Sequence, residues 1–378
     1  MSDIRIVPVR DKRDMEAFIA AARRAEAGNP RWVEPAHDEI RMTFDPKRAP
    51  FTRENVVQPF VALHGGEPVG RIVATIETAH IARFDDACGF FGFIEAVDDP
   101  EVFASLFAAA EGFLRERGMK VVRGPFSLTI NHESGLLVQG FEEPHVVRTN
   151  HAPSFYGPRI EALGYRKAMD LVAYVVRVAE STLPERVARV AAARDAPQID
   201  YHALSLLSWR LDLKRVLDLY NDAWSDNSWA TPVGVEEAKL ISKLMLPVSY
   251  PGWIRIATYQ GEDVAVAAHI PDANEALAGL NGRLLPFGAA KLMWRLHARG
   301  VKRSRAPMTG IAKKWRNTRV AAYALSGLVA RSILDARKAG VEEIEYSWML
   351  ETNDAAINSV RSLPARRTRT FRIYEKAI

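Results

Sequence analysis

The feature that most constrains the fold is a continuous pattern at residues 302–344, which predicts a strand, a basic turn and a long helix. Residues 305–311 read as a strand, and residues 319–338 carry apolar side chains at helical spacing. Residues 312–318 between them are rich in Lys and Arg, and Gly340 stands where such a helix would end. The rest of the chain can be interpreted around this unit.

The N-terminus of this predicted helix is a candidate anion site. Asn317 or Thr318 would cap it, and a helix N-terminus presents unpaired N–H groups and partial positive charge to an anion such as a pyrophosphate. A solvated basic turn would have the same local sequence, so other parts of the chain must decide. Four cations add to the positive charge with no carboxylate expected to oppose them: Lys313, Lys314, Arg316 and Arg319.

Length and composition are those of a soluble globular protein with two lobes. The chain has 378 residues, of which 48% are apolar and 26% charged. Its net charge of +5 favours an anionic partner but does not distinguish a nucleotide, a nucleic acid and an acidic lipid. Cys88 is the one cysteine, which excludes an intramolecular disulfide and a multi-cysteine metal site. No signal peptide pattern opens the chain, so we expect a cytoplasmic protein.

The first lobe, residues 1–180, reads as strands interrupted by helices. The helix predicted at 99–117 begins with Asp98, Asp99 and Glu101, which would cap its N-terminus and repel a pyrophosphate. We therefore expect this lobe to lack a cofactor site. The predicted elements are a strand at 4–9, a helix at 12–27, a hairpin at 58–64 and 69–78, a strand at 89–97, the helix at 99–117, a strand at 120–123, a helix at 153–163 and a strand at 167–178.

A glycine-rich segment at residues 124–145 is the candidate functional loop of this lobe. It contains Asn131, His132, Glu133 and His145, and polar side chains on a loop between scaffold elements are candidates for binding or catalysis. A hydrogen-bonded turn with a surface histidine would explain the same residues. No spacing of His, Asp and Glu here matches a known ligand pattern, so no metal is expected.

Residues 181–200 read as a linker that includes one helix, and residues 201–378 as a second lobe. Trp224, Asn227 and Trp229 form an aromatic loop, and residues 277–296 form an apolar insertion. Both features are candidates for a groove that holds a lipid chain, although packing into the core is the commoner explanation for such residues. The order of helices and strands in the first lobe recurs in the second, which suggests duplication.

Two sets of motifs carry a resemblance to a known family. The run from Arg316 to Ala321 resembles the acyl-CoA loop Q/R-x-x-G-x-G/A of GNAT acyltransferases, and it departs from that loop at Arg319, where the family has glycine. Asn353 resembles the family's asparagine that contacts pantetheine, whereas Val360 stands where the family often has a tyrosine acid. A closer resemblance, to a tandem-GNAT bacterial family that includes YghO-type proteins and ceramide synthases, rests on GFFGFIEAVDD, NDAW-x2-N, PDANEAL, W-x-L-E-x-N and RIYEK.

This resemblance implies an α/β fold with a mixed sheet, as two GNAT-like lobes in tandem. It further implies that the second lobe binds acyl-CoA and acylates a long-chain amine such as a sphingoid base. Glu351 or Glu133 would accept the amine proton, Asn131 is a further catalytic candidate, and Trp224, Asn227, Trp229 and Tyr156 would contact the substrate. The residues implied to bind the acyl-CoA are Thr309, Gly310, Ile311, Lys313, Lys314, Arg316, Asn317, Thr318, Arg319, Val320, Ala321 and Asn353.

Several alternatives remain open from the sequence. An acyl carrier protein could replace CoA as the donor, and a lipid acceptor is compatible with peripheral contact at the inner membrane. A Fem-like aminoacyltransferase would also use tandem GNAT lobes, but the chain lacks a long coiled-coil arm. A non-catalytic binding protein on degenerate lobes would use its basic clusters for phosphate contacts, although no nucleic acid is expected as a partner.

Overall fold

The computed structural model describes residues 3–205 and 208–378, and these form two compact units. The described residues of Met1–Leu171, Leu277–Leu284 and Arg369–Ile378 make the first unit, and those of Val172–Ala276 and Leu285–Thr368 make the second. The end of the chain therefore belongs to the first unit, whereas the sequence places residues 201–378 together in the second lobe.

The first unit is built on a mostly antiparallel sheet. Its strands follow the order β1-β2-β3-β4-β5-β13, with β6 beside β13; among these pairs of described strands, β4 and β5 run parallel and the others antiparallel. Helices α1 and α5 cover the sheet, and Phe18, Val73 and Leu128 belong to its core. The elements are β1 (Ile4–Pro8), α1 (Lys12–Ala25), α2 (His37–Thr43), α3 (Pro50–Glu54), β2 (Val56–His64), β3 (Glu67–Ile76), α4 (Thr78–Phe84), β4 (Cys88–Ala96), α5 (Pro100–Arg115), β5 (Val121–Gly124), β6 (Leu136–Gln139), α6 (Tyr156–Ala162), and parts of β7 (Arg166–Arg177) and β13 (Ala365–Ala377).

The second unit repeats this arrangement of strands. Its order is β8-β9-β10-β11-β12, and among these pairs of described strands β11 and β12 run parallel and the others antiparallel. Helix α12 packs through Ala324 and Leu328 onto Ala257, Val264 and Ala265 of the sheet. The elements are the rest of β7 and β13, α7 (Leu183–Ala191), β8 (Asp200–Ala203), α8 (Trp209–Trp224), α9 (Val235–Met245), β9 (Ile254–Tyr259), β10 (Glu262–Pro271), α10 (Ala273–Leu277), α11 (Gly288–Trp294), β11 (Arg303–Ile311), α12 (Arg319–Lys338), β12 (Glu343–Leu350) and α13 (Asp354–Arg361).

The predicted mixed α/β fold is confirmed, and the strand, turn and helix at residues 302–344 are present. Helix α12 has the predicted bounds, because Thr318 caps it and Gly340 follows it in the left-handed conformation. The sequence analysis did not predict β6, β8 or the short helix α3. That short helix has Pro50 at its start, where proline is favoured.

No helix in the described part of the chain combines the length and the apolar character needed to cross a membrane.

Candidate functional site

The candidate site of the second unit begins where two parallel strands separate. Residues Arg303–Ala306 of β11 pair with Glu343–Tyr346 of β12, and there the paired register ends. Strand β11 nevertheless runs on to Ile311 and β12 to Leu350. The two strand ends therefore border a gap, which we call the β11–β12 gap, whose walls are strand edges with backbone groups available to a ligand.

A β-bulge lies in β11 beside this gap. Met308 pairs with Ala268 and Arg305 with Ile270, so two residues of β11 oppose one residue of β10. The two residues that oppose His269 are Ala306 and Pro307, and proline has no N–H to donate to either neighbour. Bulges re-aim backbone and side chains and are common next to active sites.

Backbone alternation decides which N–H groups of β11 face the gap. The N–H of Ala312 donates to the carbonyl oxygen of Val264 at 2.9 Å, so by alternation Gly310 also bonds to β10, through its partner Val266. Thr309 and Ile311 lie between these bonded positions and point their N–H groups away from β10. Of these three residues, which the sequence analysis expects to bind the acyl-CoA, Thr309 and Ile311 therefore have N–H groups available to a ligand, and Gly310 does not.

The turn after β11 leads into a helix start that suits an anion. The hydroxyl of Thr318 accepts the N–H of Ala321 at 3.1 Å, and the first turn of α12 contains no acidic residue. The N–H groups of Arg319 and Val320 have no acceptor among the described residues. Two backbone donors and the helix dipole are thus directed at one place.

The expectation that no carboxylate opposes the basic turn is wrong. Lys313 and Arg316 both contact Asp226, at 2.6 and 2.7 Å. Lys314 lies 2.5 Å from Glu262, and Arg319 lies 2.8 Å from Asp195. Hydrogen bonds from Lys313 and Arg316 lower the pKa of Asp226, which therefore stays ionised. All four pairs are solvent-exposed and contribute little stability, so a phosphate could displace the carboxylates at small cost.

The predicted aromatic loop packs against the end of β11. The ring of Trp224 lies against Gly310, where a Cβ atom would come 2.4 Å from the ring, and it stacks on Tyr220 at 4.7 Å. Its position is that of a half-buried core residue next to the gap. Asn227 forms a turn through its backbone N–H and the carbonyl oxygen of Trp224, and Trp229 is half-buried with a left-handed backbone.

Sequence reasoning missed a buried polar network at the mouth of the gap. Arg305 donates to the hydroxyl of Ser347 at 2.8 Å and to its carbonyl oxygen at 3.0 Å, and that hydroxyl donates to Glu345 at 2.6 Å. All three residues are buried. They share one face of the sheet, because Arg305 and Glu345 are paired in the register and Ser347 follows two residues later. No sequence motif signals this network, since each residue alone fits a strand.

Three polar side chains near this network are buried and lack a partner among the described residues. They are the Tyr346 hydroxyl, the Ser304 hydroxyl and both ring nitrogens of His269. His269 lies opposite the bulge and stacks on Trp253 at 3.8 Å, and burial lowers its pKa to about 3. Buried polar groups without partners are rare in proteins, so their concentration here marks the neighbourhood of the gap as unusual.

The predicted residues after β12 lie at the far end of the gap. Glu351 follows the last residue of β12 and is half-buried. Asn353 caps α13, because its side-chain oxygen accepts the N–H of Ala356 at 3.1 Å. That bond occupies the oxygen of Asn353 and leaves its amide nitrogen to meet another group.

The predicted residues of the first unit have structural partners. Glu133 contacts Arg148 at 3.0 Å, and Arg148 also contacts Glu39 at 2.6 Å. Burial alone would raise the pKa of Glu133, but the charges of Arg148 and His132 and the hydrogen bond from Arg148 together outweigh burial, so the pKa is lowered. Asn131 is half-buried on the same loop. Tyr156 is fully buried and its hydroxyl accepts the N–H of Ala96 at 2.8 Å, so it presents no surface to a substrate.

Three potential metal ligands of the first unit lie together: His80, Asp86 and Cys88. His80 is 3.1 Å from Asp86, and burial lowers the pKa of His80 and raises that of the Cys88 thiol to about 12. Arg123 lies 3.5 Å from Asp86 and would compete with a cation for its charge. The cluster has the character of a hydrogen-bonded group with a neutral thiol.

Comparison with known proteins gives two relatives that span the chain. The bacterial ceramide synthase of Caulobacter vibrioides is 37% identical over 100% of this chain and 98% of its own length. The protein YghO of Escherichia coli is 33% identical over 97% of this chain and 94% of its own length. No protein-family model matches the chain.

A solved structure supports the fold. A tandem GNAT protein from the clavulanic acid biosynthesis pathway aligns with a TM-score of 0.58, over 99% of this chain and 98% of its own. Its sequence identity is 11%, so the likeness concerns the fold alone.

Proposed function

Because the chain belongs to the tandem-GNAT acyltransferase family that includes these two relatives, as its motifs predicted, we propose that it transfers a long-chain acyl group from acyl-CoA to the amine of a lipid. The observation that carries the proposal is the β11–β12 gap, which leads into a helix start free of acidic residues. The name of one relative, a ceramide synthase, motivates a sphingoid base as the acceptor.

In this proposal the gap holds the pantetheine arm and the thioester. The N–H groups of Thr309 and Ile311 would bond the arm and the thioester oxygen, where negative charge develops during attack. The phosphates would lie at the start of α12, on the N–H groups of Arg319 and Val320. Lys313, Lys314, Arg316 and Arg319 would exchange their exposed carboxylate partners for phosphate oxygens.

The reaction forms one bond and breaks another at the thioester carbon. The neutral amine nitrogen attacks the carbonyl carbon, the C–N bond forms, and the C–S bond breaks with the electron pair leaving on sulfur. The amine loses one proton to a base, and the CoA thiolate takes up a proton as it leaves. The chain must therefore supply a base near the carbonyl and a polarising contact for its oxygen.

Glu351 is the base that we favour. It follows β12 at the end of the gap, in the same unit as the proposed donor site. Glu133 is a weaker candidate, because Arg148 lowers its pKa and a carboxylate with a lowered pKa accepts a proton less readily. Trp224, Asn227 and Trp229 lie in the segment that packs on β11 and remain the proposed contacts of the acyl chain or the amine.

The test is thiol release from acetyl-, octanoyl- and palmitoyl-CoA, each with and without a long-chain amino alcohol, and from palmitoyl acyl carrier protein. We expect release that depends on the amine and is fastest with palmitoyl-CoA. Release from the carrier protein alone would change the donor but keep the reaction. No release from any thioester, together with no CoA binding by calorimetry, would overturn the proposal.

Two variants assign roles within this assay. Glu351→Gln should lower kcat by about 100-fold or more, since general-base catalysis contributes that much. Lys313→Ala/Arg316→Ala should raise KM for palmitoyl-CoA about tenfold with little change in kcat. The matched control is Lys214→Ala/Lys239→Ala, which removes two exposed lysines paired within α8 and α9. Unchanged activity of Glu351→Gln would remove Glu351 as the base and leave the donor site to the charge variant.

A further inference from the structure

Four large apolar side chains of the insertion are exposed together. Leu285 is 76% exposed, Phe287 80%, Trp294 59% and Met293 36%. The sequence suggested that this insertion lines a groove or fills the core, but these side chains do neither within the second unit. We refer to Leu285, Phe287, Met293 and Trp294 as the apolar patch.

Helix α11 places part of the patch on one of its faces. Phe287 is the N-cap of α11, and Phe287, Lys291 and Trp294 stand at positions i, i+4 and i+7 on one face. Met293 adjoins this face, whereas Leu292 and Leu296 are buried on the other side. The helix is therefore anchored by its inner leucines and carries a second, unpartnered apolar face.

Every charged residue in the sequence segment that carries the patch is basic. No acidic residue occurs between Glu275 and Asp335 in the sequence. Lys291 and Arg299 are exposed, and neither forms an ion pair with any residue that the structure describes. A second copy of this chain would bring the same cations against these ones, so like charges oppose pairing of two patches. An anionic surface complements them.

We propose that the apolar patch docks this protein onto an anionic lipid bilayer. Phe287, Trp294 and Leu285 enter the boundary between head groups and acyl chains, where amphipathic aromatic rings are favoured. Lys291 and Arg299 extend to the lipid phosphates above them. The inference stands on exposure and charge and is independent of which acyl group or amine the enzyme uses.

The test is co-sedimentation of the full-length protein with sucrose-loaded vesicles, of phosphatidylcholine alone or with roughly 30% phosphatidylglycerol. We expect binding to the anionic vesicles to be about 30-fold tighter, since each of two cations near such a surface contributes about fivefold. Phe287→Ser/Trp294→Ser should weaken that binding at least about tenfold, because two inserted aromatic rings are lost. Lys291→Glu/Arg299→Glu should remove the preference for anionic lipid.

The matched control is Leu211→Ser, which removes a leucine that is 80% exposed on α8. It should bind vesicles as the unchanged protein does, and circular dichroism should show all variants folded. Absence of vesicle binding, or equal binding by the aromatic variant, would overturn the proposal. A protein dimer in light scattering that Phe287→Ser/Trp294→Ser converts to a monomer, without a change in vesicle binding, would assign the patch to a second copy instead.

Discussion

In the first unit the paired register of β4 and β5 ends at Phe90 and Arg123, and in the second that of β11 and β12 ends at Ala306 and Tyr346. Both units also carry a bulge in the first strand of the pair. The two units differ beyond the paired residues. In the first unit the N–H of Phe126 donates to the carbonyl oxygen of Phe91 at 2.8 Å, so the chain after β5 stays on β4. In the second unit the strands separate.

The helices that belong to these strand pairs, α5 and α12, differ in the residue that caps their N-termini. Helix α5 begins with Asp99, whose carboxylate accepts the N–H of Glu101 at 2.8 Å. Helix α12 begins with Thr318, whose neutral hydroxyl accepts the N–H of Ala321. The N-terminus of α5 is therefore already capped by a carboxylate, whereas the N-terminus of α12 has a neutral cap and favours an added anion. The two units share their arrangement of strands and helices but differ in the cap residue and in whether the parallel strands separate, and these differences are why we propose a donor site in the second unit alone.

The largest expected effect on stability compares Arg305, near the end of the paired β11–β12 register, with Arg123, at the end of the paired β4–β5 register. Arg305→Leu removes the guanidinium that donates to the hydroxyl and the carbonyl oxygen of Ser347 in a buried network, and should cost about 3–5 kcal/mol. Arg123→Leu is the comparison: Arg123 is also buried, but its carboxylate partners Glu375 and Asp86 are 41% and 31% exposed, so water can solvate them and the loss should be smaller, about 1–2 kcal/mol. Urea denaturation monitored by circular dichroism compares the two.

The double variant Arg305→Met/Glu345→Leu separates charge burial from packing. Removing both charges together should recover most of the stability that Arg305→Leu loses. Acyl transfer should stay low in the double variant if the network also positions the strand ends at the gap. Equal stability losses for Arg305→Leu and Arg123→Leu would show that the second unit does not depend on this buried network.

A medium effect on stability is expected at two glycines, Gly92 in the first unit and Gly310 in the second. A Cβ atom at Gly92 would lie 1.7 Å from the carbonyl oxygen of Phe126, a backbone atom that cannot move aside. Gly92→Ala should therefore cost about 3 kcal/mol. A Cβ atom at Gly310 meets the Trp224 ring, which can rotate, so Gly310→Ala should cost about 1 kcal/mol but lower acyl transfer. Comparable stability losses in thermal unfolding would contradict this difference.

The sequence predicted what local patterns determine. The bounds of α12 follow from Thr318, Gly340 and the helical spacing between them, and all three signals lie within the same short stretch. The motifs also predicted the family and the mixed sheet. The candidate acyl-CoA loop was found because its cations are neighbours in the sequence.

The sequence could not predict what distant segments bring together. Asp226 precedes Lys313 by 87 residues, and its contact with the basic turn depends on how α8 packs against β11. The network of Arg305, Ser347 and Glu345 depends on strand register, and each of its members fits an ordinary strand. Tyr156 was predicted to contact the substrate, but it lies at the start of α6 and is fully buried.

The smallest expected effect compares the two helix caps directly. Asp99→Ala and Thr318→Ala each remove one side-chain cap, so each should cost about 1 kcal/mol of stability. Their effects on acyl-CoA should differ, because only α12 is proposed to receive the phosphates. Thr318→Ala should raise KM for palmitoyl-CoA by about threefold through a frayed first turn, as a loss of binding below about 1 kcal/mol would do. Asp99→Ala should leave KM unchanged in the same thiol-release assay. An equal rise in KM for both variants would mean that the first unit also contributes to donor binding, because loss of the Asp99 cap would then disturb a donor contact in α5 as well.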